Sequence, residues 1–153
     1  MNLKQYIRDI PNFPKPGILF RDITPLLYHE ESFRYCVDAF AKRSKTMSPD
    51  VIVGVESRGF IFGSALAYEM KLPFVPIRKE GKLPYSVREV KYDLEYGSGI
   101  LQIHSDVIKP FQRVVLVDDL IATGGTIQAS RELIEELGGI IVGINTVIVL
   151  KDL

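Results

Sequence analysis

The chain has 153 residues, 46% of them apolar and 25% charged, with Lys+Arg and Asp+Glu both at 19. That length suits one domain able to bury a core. The balanced charge supplies no global basic field for nucleic acid or an anionic membrane, so any anion site must be local. A single cysteine, Cys36, excludes an internal disulfide and fits a reducing, cytoplasmic setting.

In chain order, the stretch from Met1 to Ile10 has no apolar h-region, which argues against a signal peptide. Residues 1–28 are rich in proline and belong to no βα unit, so a small N-terminal flap is expected there. Phe33, Cys36, Val37, Phe40 and Ala41 then recur at helical spacing after Ser32, which reads as an N-cap. Cys36 falls on the apolar face of that helix, as core packing rather than a nucleophile. Val51 to Val55 is a short continuous apolar run, the pattern of a parallel strand covered on both faces. A helix over 59–71 and a strand over 74–78 follow.

The period changes between 87 and 103. Val90, Tyr92, Leu94 and Tyr96 alternate with Lys91, Asp93 and Glu95, which is period two with one wet face. Gly97-Ser98-Gly99 is the expected turn, and Ile100, Leu101 and Ile103 return as the partner strand. A strand over 114–117, a helix over 127–137 closed by Gly138-Gly139, and a strand from Ile140 complete the alternation. The apolar run from Ile140 to Leu150 is short and is interrupted by Asn145 and Thr146, so it reads as a buried strand rather than a membrane span. The fold class is therefore α/β: an open, mainly parallel sheet with helices on both faces, a small N-terminal flap and an antiparallel, mobile excursion over 79–103.

The most informative segment is Val114 to Thr126, V-V-L-V-D-D-L-I-A-T-G-G-T. A buried strand ends in adjacent carboxylates, Asp118 and Asp119, and Thr123-Gly124-Gly125-Thr126 opens a helix. Backbone N–H groups at a helix start lack internal partners, and the macrodipole there favours an anion. The two glycines let the backbone wrap a phosphate, and the threonine hydroxyls add donors. The carboxylates would repel that phosphate. They suit sugar hydroxyls, or waters around a divalent cation. A phosphorylated ribose meets both demands. No G-x-x-x-x-G-K-[ST] or early G-x-G-x-x-G pattern is present, against a P-loop or a dinucleotide site. A phosphoacceptor receiver fold, suggested by V-L-V-D-D, fails on position, because its acids open the chain.

A second loop, Glu56-Ser57-Arg58-Gly59, lies between a strand and a helix at the same edge of the sheet, where Arg58 and backbone N–H groups could take a diphosphate. Arg78, Lys79 and Lys82 place three cations within five residues around Gly81. Cations that meet a leaving diphosphate more strongly in the transition state lower the barrier. His29 and His104 have no metal-ligand spacing, and no Ser/His/Asp triad is legible.

These segments together resemble the type I phosphoribosyltransferase family, whose phosphoribosyl-diphosphate signature is carried by Val114 to Thr126. The Asp-Asp-Leu-x-Ala-Thr-Gly-Gly-Thr form is that of its adenine-using members. Phe13-Pro-Lys-Pro-Gly17, Phe20-Arg-Asp-Ile-Thr-Pro25, Glu56-Ser-Arg-Gly-Phe-Ile-Phe62, Arg78-Lys79 with Gly81-Lys-Leu-Pro84, and Leu94-Glu-Tyr-Gly97 agree in the same order. The resemblance runs from about Tyr6 to the end. It implies transfer of phosphoribose from 5-phosphoribosyl diphosphate to adenine, giving AMP and diphosphate, in a homodimer. Mg²⁺ would bridge diphosphate oxygens and ribose hydroxyls, with no side chain assigned as a direct ligand.

By the same resemblance, Ala122, Thr123, Gly124, Gly125 and Thr126 hold the 5′-phosphate, and Asp118 and Asp119 the ribose. Arg58, Arg78, Lys79 and Lys82 meet the diphosphate, with the segment after Lys82 closing as a lid. Glu95 approaches the purine as proton acceptor. Leu19 (through its main chain), Phe20 and Arg21 recognise adenine, and Leu150 matches an apolar contact to the base. The pyrophosphate loop of the family often contains a non-proline cis peptide, an expectation extended to Glu56-Ser57. Three departures stand out: Tyr85 where glycine is usual, Gln102 where glutamate is common, and an end at Leu153 where the family generally continues. Another purine as acceptor, or a non-catalytic module that senses phosphoribosyl diphosphate, are the alternatives.

Overall fold

The computed structural model describes residues 1–94 and 97–151, the side chain of Leu94 aside. It divides into two compact units, residues 1–39 and 40–153.

In the first unit, a short 3-10 turn (Leu3–Tyr6) precedes an antiparallel hairpin of β1 (Arg8–Pro11) and β2 (Leu19–Asp22). Ile10 faces Phe20 and Asp9 faces Arg21 across the ladder, and the Arg21 guanidinium pairs with the Asp9 carboxylate. Phe13 meets Phe20 edge-on with ring centroids 5.1 Å apart, and the Phe13-Pro14 bond is cis. A single helical turn, α1 (Thr24–Tyr28), leads into α2 (Glu30–Lys45), which begins in this unit and ends in the next.

The start of α2 differs from the sequence expectation. Ser32 lies inside the first turn rather than capping it, and is fully buried. Its hydroxyl donates to the carbonyls of Leu26 and His29 at 2.8 and 2.9 Å. His29 does the capping: its carbonyl accepts from the Ser32 and Phe33 N–H groups, and its Nδ1 lies 3.3 Å from the Ser32 N–H.

The second unit is the α/β body. The remaining elements run β3 (Val51–Val55), α3 (Arg58–Met70), β4 (Phe74–Lys79), β5 (Val87–Leu94), β6 (Gly97–His104), β7 (Arg113–Val117), β8 (Leu120–Ile121), α4 (Gly125–Glu136), β9 (Ile140–Asn145) and β10 (Ile148–Val149). Six strands form one sheet in the order β5-β6-β4-β3-β7-β9. Strands β4, β3, β7 and β9 are parallel, while β6 joins β4 and β5 antiparallel. This is the mainly parallel sheet with an antiparallel excursion that the two hydrophobic periods imply.

Period two assigns the strand residues to faces. Val51, Val53 and Val55, with Val75 and Ile77, pack in one cluster with Ala129, Leu133 and Ile134 of α4. On the other face Phe74 meets Phe60 of α3 at 5.8 Å, and Phe62 of α3 meets Phe40 at 6.1 Å. Helices thus cover both faces, and β3 and β7 are buried along almost their whole length.

The hairpin corrects a second expectation. Its register pairs Tyr92 with Gly99 and Leu94 with Gly97, so Gly97-Ser98-Gly99 are strand residues and not the turn. A Cβ at Gly99 would sit 2.9 Å from the Tyr92 ring, which explains glycine there better than a turn does. Among the described residues, no helix is long and apolar enough to cross a membrane.

Candidate active site

Three neighbouring parallel strands, β4, β3 and β7, deliver their C-terminal ends to one edge of the sheet, where ligands of such sheets bind. Each strand end carries one of the segments singled out by sequence.

Beyond β7, Asp118 and Asp119 are 8% and 5% exposed. Their backbone is fixed by the following strands: the Asp118 N–H donates to Asn145, and Asp119's carbonyl accepts from Val147 and Ile148. The parallel pair β8–β10 extends this tie, with the Leu150 N–H donating to Ile121 at 2.9 Å. Leu150 is thereby held beside the loop that starts at Leu120. Burial pushes the Asp118 carboxyl up to about 7, with the neighbouring Asp119 charge adding to it. The Asp119 N–H at 2.8 Å from Asp118 Oδ1 offsets part of that.

The loop then opens into a cleft of about 210 Å³, lined by Asp93 and by residues 120–127. Ala122, Thr123, Gly124, Gly125 and Thr126 therefore come together around one cavity. Gly124 has φ +90°, a left-handed conformation that costs any residue with a Cβ, and it sits at the N-terminus of α4. Its carbonyl accepts the first helical bond, from the Gln128 N–H at 2.9 Å. The N–H groups of Gly125, Thr126 and Ile127 have no earlier helical carbonyl to reach. The acids lie just upstream, buried, and are not in the cleft lining.

Beyond β3, the Glu56-Ser57 peptide bond is cis. Arg58 opens α3, and its Nε lies 2.9 Å from Asp119 Oδ2. The arginine expected at diphosphate and the acid expected at ribose are therefore in contact. Beyond β4, Arg78 Nε lies 3.3 Å from Glu56 Oε2, the Lys79 N–H donates to the same oxygen at 2.9 Å, and the Lys82 ammonium pairs with Glu56 Oε1. Burial alone would raise the Glu56 carboxyl. Lys82, the Lys79 N–H and Arg78 outweigh it and hold the group below its ordinary value. The Lys79 side chain is exposed.

Three residues here were missed by sequence reasoning. Glu56 looked like the first letter of a loop, yet it contacts two of the expected cations. Tyr92 reaches from β5 to the Thr126 side chain; burial raises its hydroxyl, and Asp118's charge adds to the effect. Its place on the apolar side of the period-two pattern was the only signal. Asp93, on the wet side, lines the cleft and carried none. Glu95 lies outside the described residues. In the first unit, Leu19, Phe20 and Arg21 are consecutive on β2, so the side chains of Phe20 and Arg21 point to opposite faces.

Among the described residues, no group of three or more His, Cys, Asp or Glu is arranged to hold a metal ion. Adjacent buried carboxylates, one of them pushed toward protonation, do suit a partner that brings positive charge or hydroxyl donors.

Comparison with known proteins gives one picture. The phosphoribosyl transferase domain family matches residues 23–151. The adenine phosphoribosyltransferase of Nostoc punctiforme is 52% identical over 155 aligned positions, covering 100% of this chain and 90% of that protein. The crystal structure of adenine phosphoribosyltransferase from Rhodothermus marinus superposes with a TM-score of 0.91 at 47% identity, covering 97% of this chain and 84% of that one. The Saccharomyces cerevisiae adenine phosphoribosyltransferase, solved with an imino-altritol bisphosphate and adenine, gives 0.91 at 41% identity, covering 97% and 86%.

Proposed function

The chain belongs to the phosphoribosyltransferase family, and from that membership we propose how its residues divide the work of making AMP. The reaction is that of its adenine phosphoribosyltransferase relatives: phosphoribose passes from 5-phosphoribosyl diphosphate to adenine, releasing diphosphate. One observation carries the assignment of residues: paired acids and a helix-start cradle, Asp118-Asp119 and Ala122 to Thr126, share one strand-to-helix connection beside a cleft.

The 5′-phosphate is assigned to the cradle, where Ala122, Thr123, Gly124, Gly125 and Thr126 offer backbone N–H groups and two hydroxyls. Asp118 and Asp119 accept from the ribose hydroxyls, which removes the need for two buried charges to face each other alone. Arg58, Arg78, Lys79 and Lys82 meet the diphosphate, whose charge grows as the bond to the anomeric carbon breaks. Arg58 must turn from Asp119 to do so. Mg²⁺ held through the substrate would supply positive charge beside the diphosphate, with no side chain assigned as its direct ligand, while Asp118 and Asp119 would hold the ribose hydroxyls.

Adenine recognition is assigned to Leu19, Phe20 and Arg21. Because Phe20 and Arg21 face opposite ways on β2, a base stacked on the Phe20 ring is met by main chain of the neighbouring residues. Leu150 is assigned as a further apolar contact to the base. As N9 attacks the anomeric carbon, neutral adenine must lose its N9 proton, and Glu95 is the assigned acceptor. Segment 79–103, as a lid, would keep water from the ribosyl cation-like centre. A homodimer and a cytoplasmic, reducing location complete the proposal. Buried Cys36, its thiol pushed up to about 11 by burial, suits such a compartment as a packing residue.

The test is direct. Protein, 5-phosphoribosyl diphosphate and Mg²⁺ are incubated with adenine, guanine or hypoxanthine, and new nucleotide is measured by chromatography. AMP from adenine is expected, and equal turnover of guanine would reassign the acceptor. Glu95→Leu should lower kcat by about 10²-fold or more with little change in the KM for phosphoribosyl diphosphate. Full turnover in that variant would take Glu95 out of the mechanism.

A further inference from the structure

A nearly buried carboxylate lies among the cations assigned to diphosphate, and nothing in that assignment requires it. Glu56 follows β3 directly, and its N–H donates to the Ile77 carbonyl at 2.9 Å, tying its main chain to β4. Its two oxygens take the Arg78 guanidinium, the Lys79 N–H and the Lys82 ammonium. The Glu56 side chain is 6% exposed, whereas those of Arg78 and Lys82 are 34% and 45% exposed. The acid sits beneath, and the cations keep an outer face toward water.

A second side chain grips the same turn. Gln102 Oε1 accepts from the Gly81 N–H at 3.0 Å while its Nε2 donates to Glu89 at 2.9 Å. Arg78 Nη1 also lies 3.4 Å from the Lys82 carbonyl. A glutamate at 102 could still accept from Gly81 but would face Glu89 with like charge. The amide departs from the family habit and satisfies both neighbours.

Cations crowded into one short turn repel each other, and long Arg and Lys side chains lose rotamer entropy when ordered. One buried carboxylate that touches two of them and an intervening N–H offsets both costs before any ligand arrives. Resting on the assignment of this turn to diphosphate, we propose that Glu56, seconded by Gln102, is a positioning residue. It gathers Arg78 and Lys82 into a preformed diphosphate receptor. The opposite role, an internal anion that a ligand must displace, conflicts with the exposures: an anion from solvent meets the cations first and leaves Glu56 below them.

The experiment is titration of wild type, Glu56→Gln and Glu56→Ala with inorganic diphosphate by calorimetry at fixed ionic strength, with melting curves recorded alongside. Gln keeps the shape and an acceptor for the Lys79 N–H but drops the charge. Diphosphate affinity should fall about tenfold in Glu56→Gln and further in Glu56→Ala. The KM for phosphoribosyl diphosphate should rise by a similar factor while that for adenine stays put. Gln102→Leu, which frees Gly81 without touching a cation, should weaken diphosphate severalfold and carries the test if the Glu56 variants do not fold. Unchanged or tighter diphosphate binding in Glu56→Gln overturns the proposal. Wild-type protein that ignores diphosphate, while still making AMP from phosphoribosyl diphosphate, would instead overturn the assignment of the turn, and the proposal with it.

Discussion

The two loops at the sheet edge proposed to meet anions are built on opposite principles. The segment from Ala122 to Thr126 contains no charged residue; it relies on backbone N–H groups, two hydroxyls and a helix N-terminus. The turn from Arg78 to Lys82 relies on side-chain cations, two of them held by Glu56, on a backbone that Gln102 grips through the Gly81 N–H. A phosphate that stays attached throughout a reaction can be held by fixed dipoles, which need no reorganisation. A diphosphate that leaves gains charge during the step, so full charges gathered in advance are the better device. The contrast pairs fixed dipoles with the phosphate proposed to stay attached and gathered charges with the diphosphate proposed to leave.

Arg78→Ala should break the second loop most severely. It removes a cation proposed to meet the leaving group and strips a partner from the buried Glu56 carboxylate, which is costly to leave under-compensated. A loss of about 10²–10³ in kcat/KM is expected, with kcat falling as well as KM rising. Thr123→Val, which removes one hydroxyl from the other loop, should act mainly on KM. If steady-state kinetics show the reverse division, the contrast fails.

Gly124→Ala tests the cradle. The φ of +90° makes any Cβ unfavourable, although among the described residues nothing beyond the adjoining backbone lies within 4 Å of the added carbon. The cost is therefore conformational, about 1–2 kcal/mol, and the KM for phosphoribosyl diphosphate should rise about tenfold with kcat nearly kept. Ribose 5-phosphate binding should weaken by the same factor, and inorganic diphosphate binding should not change. Equal weakening of both ligands would mean that the loops are not independent.

What the sequence disclosed follows the same division. Periodicity located the parallel strands, because continuous apolar runs have few alternative uses, and the glycine-threonine cradle is local in sequence. Glu56 was illegible because its partners, Arg78 and Lys82, are 22 and 26 residues away, and only the β3–β4 pairing brings them together. Gly97-Ser98-Gly99 misled for a related reason: the glycine at 99 answers to the Tyr92 ring across the strand, not to a turn. Ser32 misled because its hydroxyl is used by the preceding helical turn, so the cap moved to His29. Local chemistry could be read, whereas pairing across strands had to be seen.

The smallest expected effect is also the one with opposite signs in the two loops. The Asp118 carboxyl sits at about 7, above its ordinary 3.8, through burial and then the Asp119 charge. Between those values the folded protein keeps a proton that the unfolded chain has lost, so stability falls as pH rises through this window. Glu56 is held below its ordinary 4.5, so its contribution is present above that value and is lost only as pH falls further. Asp118→Asn should therefore raise the ligand-free melting temperature at pH 8 by about 2–4 °C per kcal/mol recovered, and hardly change it at pH 4. Glu56→Gln should lower the melting temperature at pH 8 and lose that deficit in acid. With Asp118 proposed to accept from ribose hydroxyls, its carboxylate form is the stronger acceptor, so the wild-type KM for phosphoribosyl diphosphate should drop as pH rises through about 7. Melting curves of both variants in which the two pH dependences run the same way would mean that the acids serve the two loops alike, and the division between dipole cradle and cation turn would have no electrostatic basis.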